Sequence, residues 1–340
     1  MRILALILIL ACLDMRAKAS AAVLSPEIQL RLEEARERWR SYGHLCQGTF
    51  PSKVRDDSTC DDGDSVLFNG ILCLSGEELG CQGVRSALDD QGQWWRSPRR
   101  VGGSLESENS FSRDMAAGVL AYLLGTGDQG RAELWMNWLE THGKSEKIKG
   151  IKTPTLTQFC TNGKDATCVA TPGFWGVASN LWEFFGWPQR SRMQDPYKDF
   201  RALGSLAKVV VKALFGGLDG FSEFEVKKAP LGYQLHLKGV QIWLYQKMGR
   251  PLIDGFVDVE HSAELIYQRD PANPFFAFLH QGVSDELAVR LLTLCPAEGQ
   301  DAPRYQWSWE RESKEEAWHE SMGWDCVFLA NLLLTASAKS

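Results

Sequence analysis

Cys60-Asp61-Asp62-Gly63-Asp64-Ser65 sets three carboxylates directly before Val66-Leu67-Phe68-Asn69-Gly70-Ile71-Leu72-Cys73, an apolar run of helical length. Acids at a helix mouth meet unsatisfied backbone N–H groups and the positive end of the macrodipole, which favour negative charge. Three such groups within reach of one another also repel, and repulsion makes at least one of them hold a proton more tightly. A protonated acid beside an ionised one is the pairing that general acid–base chemistry needs. Ser112-Arg113-Asp114-Met115 repeats this grammar before a second apolar run that Gly125-Thr126-Gly127-Asp128 closes. Hydrolysis of a glycosidic bond uses two carboxylates, about 5–5.5 Å apart for retention and about 6.5–9.5 Å for inversion. Asp64 and Asp114 are the first candidate pair, with Asp62, Glu310 and Asp325 in reserve.

Groups able to hold a sugar surround these acids in the sequence. Trp94-Trp95-Arg96-Ser97-Pro98-Arg99-Arg100 sets flat apolar faces beside guanidinium forks that fit carboxylates or sulfates. Arg113, Trp307, Trp309 and His319 complete the candidate substrate-binding set. A local basic cluster in an acidic chain admits an anionic sugar, such as a uronate, as the ligand. Each feature also has a plain structural reading: acids as helix caps, tryptophans as core plugs, arginines as solvated charges, a lone histidine as a packed one. Counting back from Gly63 puts Ser58 and Cys60 where an EF-hand needs oxygen ligands, so no metal is expected. No Gly-x-Ser-x-Gly, P-loop or dinucleotide fingerprint occurs, and no cofactor is expected.

The chain begins as an exported one does. Met1-Arg2, the apolar stretch Ile3 to Leu13 and the small residues ending at Ala21 read as a secretory signal over 1–21, too short to span a bilayer. A competing reading takes Ile9-Leu10-Ala11-Cys12 as resembling a bacterial lipobox, with Cys12 as a lipid anchor. Both place the body, 22–340, in the periplasm or outside the cell, as a single catalytic domain. Nine cysteines less Cys12 leave an even set, read as up to four disulfides, with Cys160–Cys168 and pairs among Cys46, Cys60, Cys73 and Cys81 as the local candidates. The leader holds three cations against Asp14, so its loss takes the net charge from −6 to −8. That disfavours nucleic acid as a partner. The 13 tryptophans are either thick helix packing or stacking platforms.

The elements that must position these residues are helices. Mostly apolar segments near 65–74, 111–124, 174–185, 233–248, 275–280 and 323–334 alternate with polar or amphipathic ones, including 26–42, 77–88, 129–142, 199–215, 257–268 and 285–294. Helical hairpins with buried inner members and amphipathic outer members form a double ring, which about six pairs would close. The expected fold is therefore all-α, a disulfide-stabilised (α/α)6-type toroid.

On that alternation, on the acidic mouths Asp61-Asp62-Gly63-Asp64 and Ser112-Arg113-Asp114-Met115, and on the aromatic loops around Trp94-Trp95 and Trp307-Ser308-Trp309-Glu310-Arg311, the chain resembles the six-hairpin (α/α) toroid glycosidases and polysaccharide lyases. The resemblance is architectural and singles out no one family. It implies a cleft at one end of the barrel, aromatic sugar platforms, and catalytic carboxylates or a Tyr/His/Arg set on loops entering inner helices. The leading expectation is an exported glycoside hydrolase acting on a poly- or oligosaccharide. A uronate-specific lyase, with Tyr305, His319 or His280 as base and Arg96, Arg99 or Arg100 on the carboxylate, is the second. A non-catalytic carbohydrate-binding envelope protein is the third.

Overall fold

The computed structural model describes residues 23–52, 60, 62–103, 111–144, 147–148, 151–152, 156–160, 168–170, 172–194, 223–249, 252–253, 257–295 and 322–338. Eleven helices of eight residues or more carry the fold among them: α1 Pro26–Tyr42, α2 Ser65–Ser75, α3 Glu78–Arg85, α4 Arg113–Thr126, α5 Gln129–Thr141, α6 Pro172–Phe185, α7 Tyr233–Lys247, α8 Val259–Arg269, α9 Pro274–Gln281, α10 Asp285–Leu294 and α11 Met322–Ser337. The strands are two-residue antiparallel pairs, the first being β1 Leu45–Cys46 with β2 Phe50–Pro51. The helix expected over 199–215, the leader with Cys12, and Asp61, Tyr305, Trp307, Trp309, Glu310 and His319 lie outside the described residues.

Local sequence sets the helix ends. Pro26 starts α1 at a position where its missing N–H costs nothing. Asp128, Asp258, Asn273 and Ser284 accept bonds from the first-turn N–H groups of α5, α8, α9 and α10. Gly76 ends α2 with φ of 107° and Gly127 ends α4 with φ of 65°, conformations open to glycine at little cost.

The apolar helices are the most deeply buried ones among the described residues. Gly70 of α2 sits on the backbone of Gly118 in α4, and Gly125 meets Leu74, so α2 and α4 run parallel in close contact. α6 follows the same direction: Phe159 joins Phe111 to Phe174 at the starting end, and Gly127 meets Phe185 at the other. α7 and α9 are also parallel, through Gly239 against Phe275 and Phe276 and through Gln246 Nε2 donating to Leu279 O at 2.9 Å. α3 returns antiparallel along α2, with Gly80 against Leu72 and Gly83 against Asn69. α1 does the same along α11, from Leu24 N–H on Ser337 Oγ to Trp39 O beside Gly323.

Tryptophan serves the packing. Trp94 meets Tyr122 of α4 and Trp135 of α5, and Trp135 with Phe159 and Phe174 carries the aromatic packing on to α6, while Trp243, Phe275 and Phe328 join α7, α9 and α11. Trp39, Trp138, Trp175, Trp182, Trp187 and Trp324 are buried as well, which leaves Trp95 as the part-exposed one among the described tryptophans. Of the two uses open to the surplus, core packing accounts for it there. Four disulfides staple the frame: Cys46–Cys60, Cys73–Cys81, Cys160–Cys168 and Cys295–Cys326. Among the described residues no helix is long and apolar enough to cross a membrane.

Candidate functional site

Asp64 occupies the N-cap position of α2, and Asp114 lies in the first turn of α4. Because the two helices run parallel with glycine-to-backbone contact, both acids stand at the same end of the bundle. α7 brings its first residue to the same place: the Tyr233 hydroxyl donates to Asp114 Oδ2 at 2.5 Å. Burial drives the Tyr233 phenol far above its ordinary range, and the charges of Asp114 and then Asp64 add to the rise. Asp64, Asp114 and Tyr233 therefore form one electrostatic unit at three helix mouths.

The Asp64 carboxylate does not cap its own helix. It faces Arg96, whose Nη2 is 3.4 Å from Asp64 Oδ1 and whose Nε donates to Gly63 O at 2.5 Å. Asp62 is 9% exposed, accepts the Ser97 hydroxyl at 2.5 Å and pairs with Arg99 Nη1 at 3.3 Å. Arg99 also reaches the Cys60 carbonyl at 3.5 Å. The Arg96 carbonyl accepts Val66 N–H at 3.0 Å, meeting one of the orphan donors at the start of α2. Residues 96–99 thus clamp the acidic loop from one side. From the other, the Cys46–Cys60 bridge ties the loop to the β1–β2 hairpin, and buried Asn69 holds that hairpin by donating to Pro51 O at 3.0 Å.

This geometry redistributes the roles expected from sequence. Trp94 is no sugar platform: it is fully buried, with its indole N–H donating to Val84 O at 2.9 Å. Trp95 keeps part of its surface, and its indole N–H donates to Asp89 at 2.8 Å. Arg96 and Arg99 spend their charge on Asp64 and Asp62, so their first task is to hold the acids in place. Asp325 is fully buried in the first turn of α11, where a solvent-borne substrate has no access to it. His280 is exposed and stacks on Tyr267 with ring centroids 5.2 Å apart. Arg113 stands exposed at the first position of α4, beside Asp114.

Comparison with family models, with curated proteins and with solved structures finds no match for this chain.

Tyr233 is the residue that sequence reasoning passed over. Its signal lay in Gly232-Tyr233, the entry of a third apolar helix, but a phenol lacks the charge that drew attention to the other two mouths. Among the described residues no cluster of three His, Cys, Asp or Glu side chains is arranged to hold a metal ion.

Proposed function

We propose that the chain is a glycoside hydrolase built on an (α/α) toroid of helical hairpins, with its site at the mouths of α2, α4 and α7. The observation that carries this reading is the convergence of Asp64, Asp114 and Tyr233 from three apolar helices onto one point. In this reading water adds across the glycosidic bond. One carboxyl group gives its proton to the leaving oxygen, and the other takes a proton from water or attacks the anomeric carbon. Asp64, held by Arg96, and Asp114, whose Oδ2 accepts the Tyr233 hydroxyl, supply the two carboxyl groups. Four disulfides support an oxidising compartment, and with the leader over 1–21 they support export to the periplasm or beyond.

A lyase would require a base that takes the proton beside the uronate carboxyl near neutral pH; burial, with the charges of Asp114 and Asp64, raises the Tyr233 phenol far above its ordinary range and does not suit it to that task. The test is incubation of the mature protein with neutral and uronate-containing polysaccharides, following reducing ends together with the ultraviolet absorbance of unsaturated uronates. Reducing ends without absorbance are expected. Both signals rising together means a lyase, and neither rising while a sugar still binds means a carbohydrate-binding protein.

A further inference from the structure

An open cavity of about 330 Å³ adjoins the acidic loop through Arg99. Three segments form its wall. Gln47 and Thr49 line it from the turn between β1 and β2, Gln82 and Ser86 from the exposed face of α3, and Pro98 and Arg99 from the turn that follows, with Phe50 adding a second apolar ring. Asp64, Asp114 and Tyr233 stand outside this lining. The side chains of Gln47, Gln82 and Ser86 form no hydrogen bond with other described residues, and Thr49 commits its hydroxyl proton to Cys46 O at 2.8 Å. Gln47 also holds φ of 49°, the one positive value on a non-glycine among the described residues, in a region that a residue with a Cβ enters at a cost. Backbone held in this way collects at ligand sites.

The chemistry of the wall selects the ligand. Amides and hydroxyls both donate and accept, as the hydroxyls of a sugar do. An anion offers acceptors alone, which leaves the amide oxygens without a donor, and the one cation in the wall, Arg99, already pairs with Asp62 at 3.3 Å. The volume lies at the lower end of the about 300–1,000 Å³ of small-molecule sites, room for one ring. We propose that this cavity is a second carbohydrate site, which takes one neutral sugar ring away from the point of cleavage. The choice of a sugar among neutral, hydroxyl-rich molecules rests on the hydrolase reading. The ligand would also join two restraints on the acidic loop: Arg99, which holds Asp62 and reaches the Cys60 carbonyl, and the turn of Gln47, which the Cys46–Cys60 bridge ties to that loop.

The experiment is calorimetric titration of the mature Asp114→Asn chain, which leaves glycans uncut, with neutral trisaccharides of glucose, galactose, mannose, xylose or N-acetylglucosamine and with inorganic phosphate. Saturable binding of at least one trisaccharide, insensitive to added salt, is expected. Gln82→Ala combined with Ser86→Ala should weaken it about tenfold by removing hydrogen bonds, and Gln82→Trp should abolish it by filling the cavity. Both positions are exposed, so the melting curves should not move; the alanine pair decides if Gln82→Trp does not fold. Sugar bound at the mouths of α2, α4 and α7 shows as a further component that these variants leave alone. No trisaccharide binding, or binding that neither variant alters, overturns the proposal. Phosphate binding that Gln82→Trp abolishes overturns the assignment to a neutral ligand. Cavity-dependent sugar binding in a protein whose wild type cleaves no glycan overturns the hydrolase reading alone, and cleavage without cavity-dependent binding overturns this inference alone.

Discussion

Replacing Gly118 by Ala should destabilise the protein, although the same exchange in an unencumbered helix stabilises it. A Cβ built on Gly118 stands 2.5 Å from Leu67 Cα, and one on Gly70 stands 2.6 Å from the Gly118 carbonyl carbon. Ordinary contact begins near 3.4 Å, so α2 and α4 must part by nearly 0.9 Å along backbone that has no rotamer to yield. Overpacking of a core costs about 1–3 kcal/mol, and contact with main chain belongs at the upper end. Against this, alanine gains about 1 kcal/mol over glycine inside a helix. The net expectation is a loss of about 2 kcal/mol. Gly176 in α6 is the control: nothing lies within 4 Å of a Cβ there, so Gly176→Ala should gain up to about 1 kcal/mol. Guanidinium denaturation reads both as midpoint shifts of opposite sign at a constant slope. Because α2 and α4 carry Asp64 and Asp114, the first variant should also lose turnover. A Gly118→Ala protein as stable as the wild type would refute the close parallel pairing on which the site depends.

Alkaline pH should unfold the protein through its buried phenols. The folded-state pKa values of Tyr233 and Tyr122 are raised, first by burial and then by Asp114 and Asp128, so their stabilisation is full below the unfolded phenol pKa of about 10 and is lost as pH climbs above it. Each contributes a slope of about −1.4 kcal/mol per pH unit there, and Tyr233→Phe should remove one share of that slope in denaturation series above pH 10. Removing the Cys46–Cys60 bridge, which spans 14 residues, should cost about 3 kcal/mol of stability by loop entropy. It should also lower turnover by freeing the Asp62 loop, and a variant pair with wild-type melting and activity would show that the bridge holds nothing in place.

Much of the frame was legible because it follows from periodicity and punctuation. Apolar runs all round the helix marked α2, α4, α6, α7, α9 and α11, while glycines and capping residues fixed their ends to within a few positions. The placement of Asp64 and Asp114 at helix mouths was legible for the same reason. Cys160–Cys168 followed from short spacing, whereas the spacing left open how Cys46, Cys60, Cys73 and Cys81 pair among themselves, which the structure resolves as Cys46–Cys60 and Cys73–Cys81. What stayed hidden depends on long-range contact. Nothing in Trp94-Trp95 says that one ring is buried under α3 and the next is not, because both neighbours are decided by where α4 and α5 arrive. The roles of Arg96 and Arg99 turn on which carbonyl and carboxylate each one reaches. Tyr233 meets Asp114 across 119 residues of chain, a separation no local pattern spans.

One measurement bears most directly on the site. Asp114→Asn is nearly isosteric and keeps an oxygen for the Tyr233 hydroxyl, so the fold should survive with a melting temperature within a few degrees. Reducing-end release from whichever glycan the wild type cleaves should fall by about 10²-fold or more, the typical contribution of a general acid or base. Undiminished release by a folded Asp114→Asn protein would contradict the assignment of catalysis to the mouths of α2, α4 and α7.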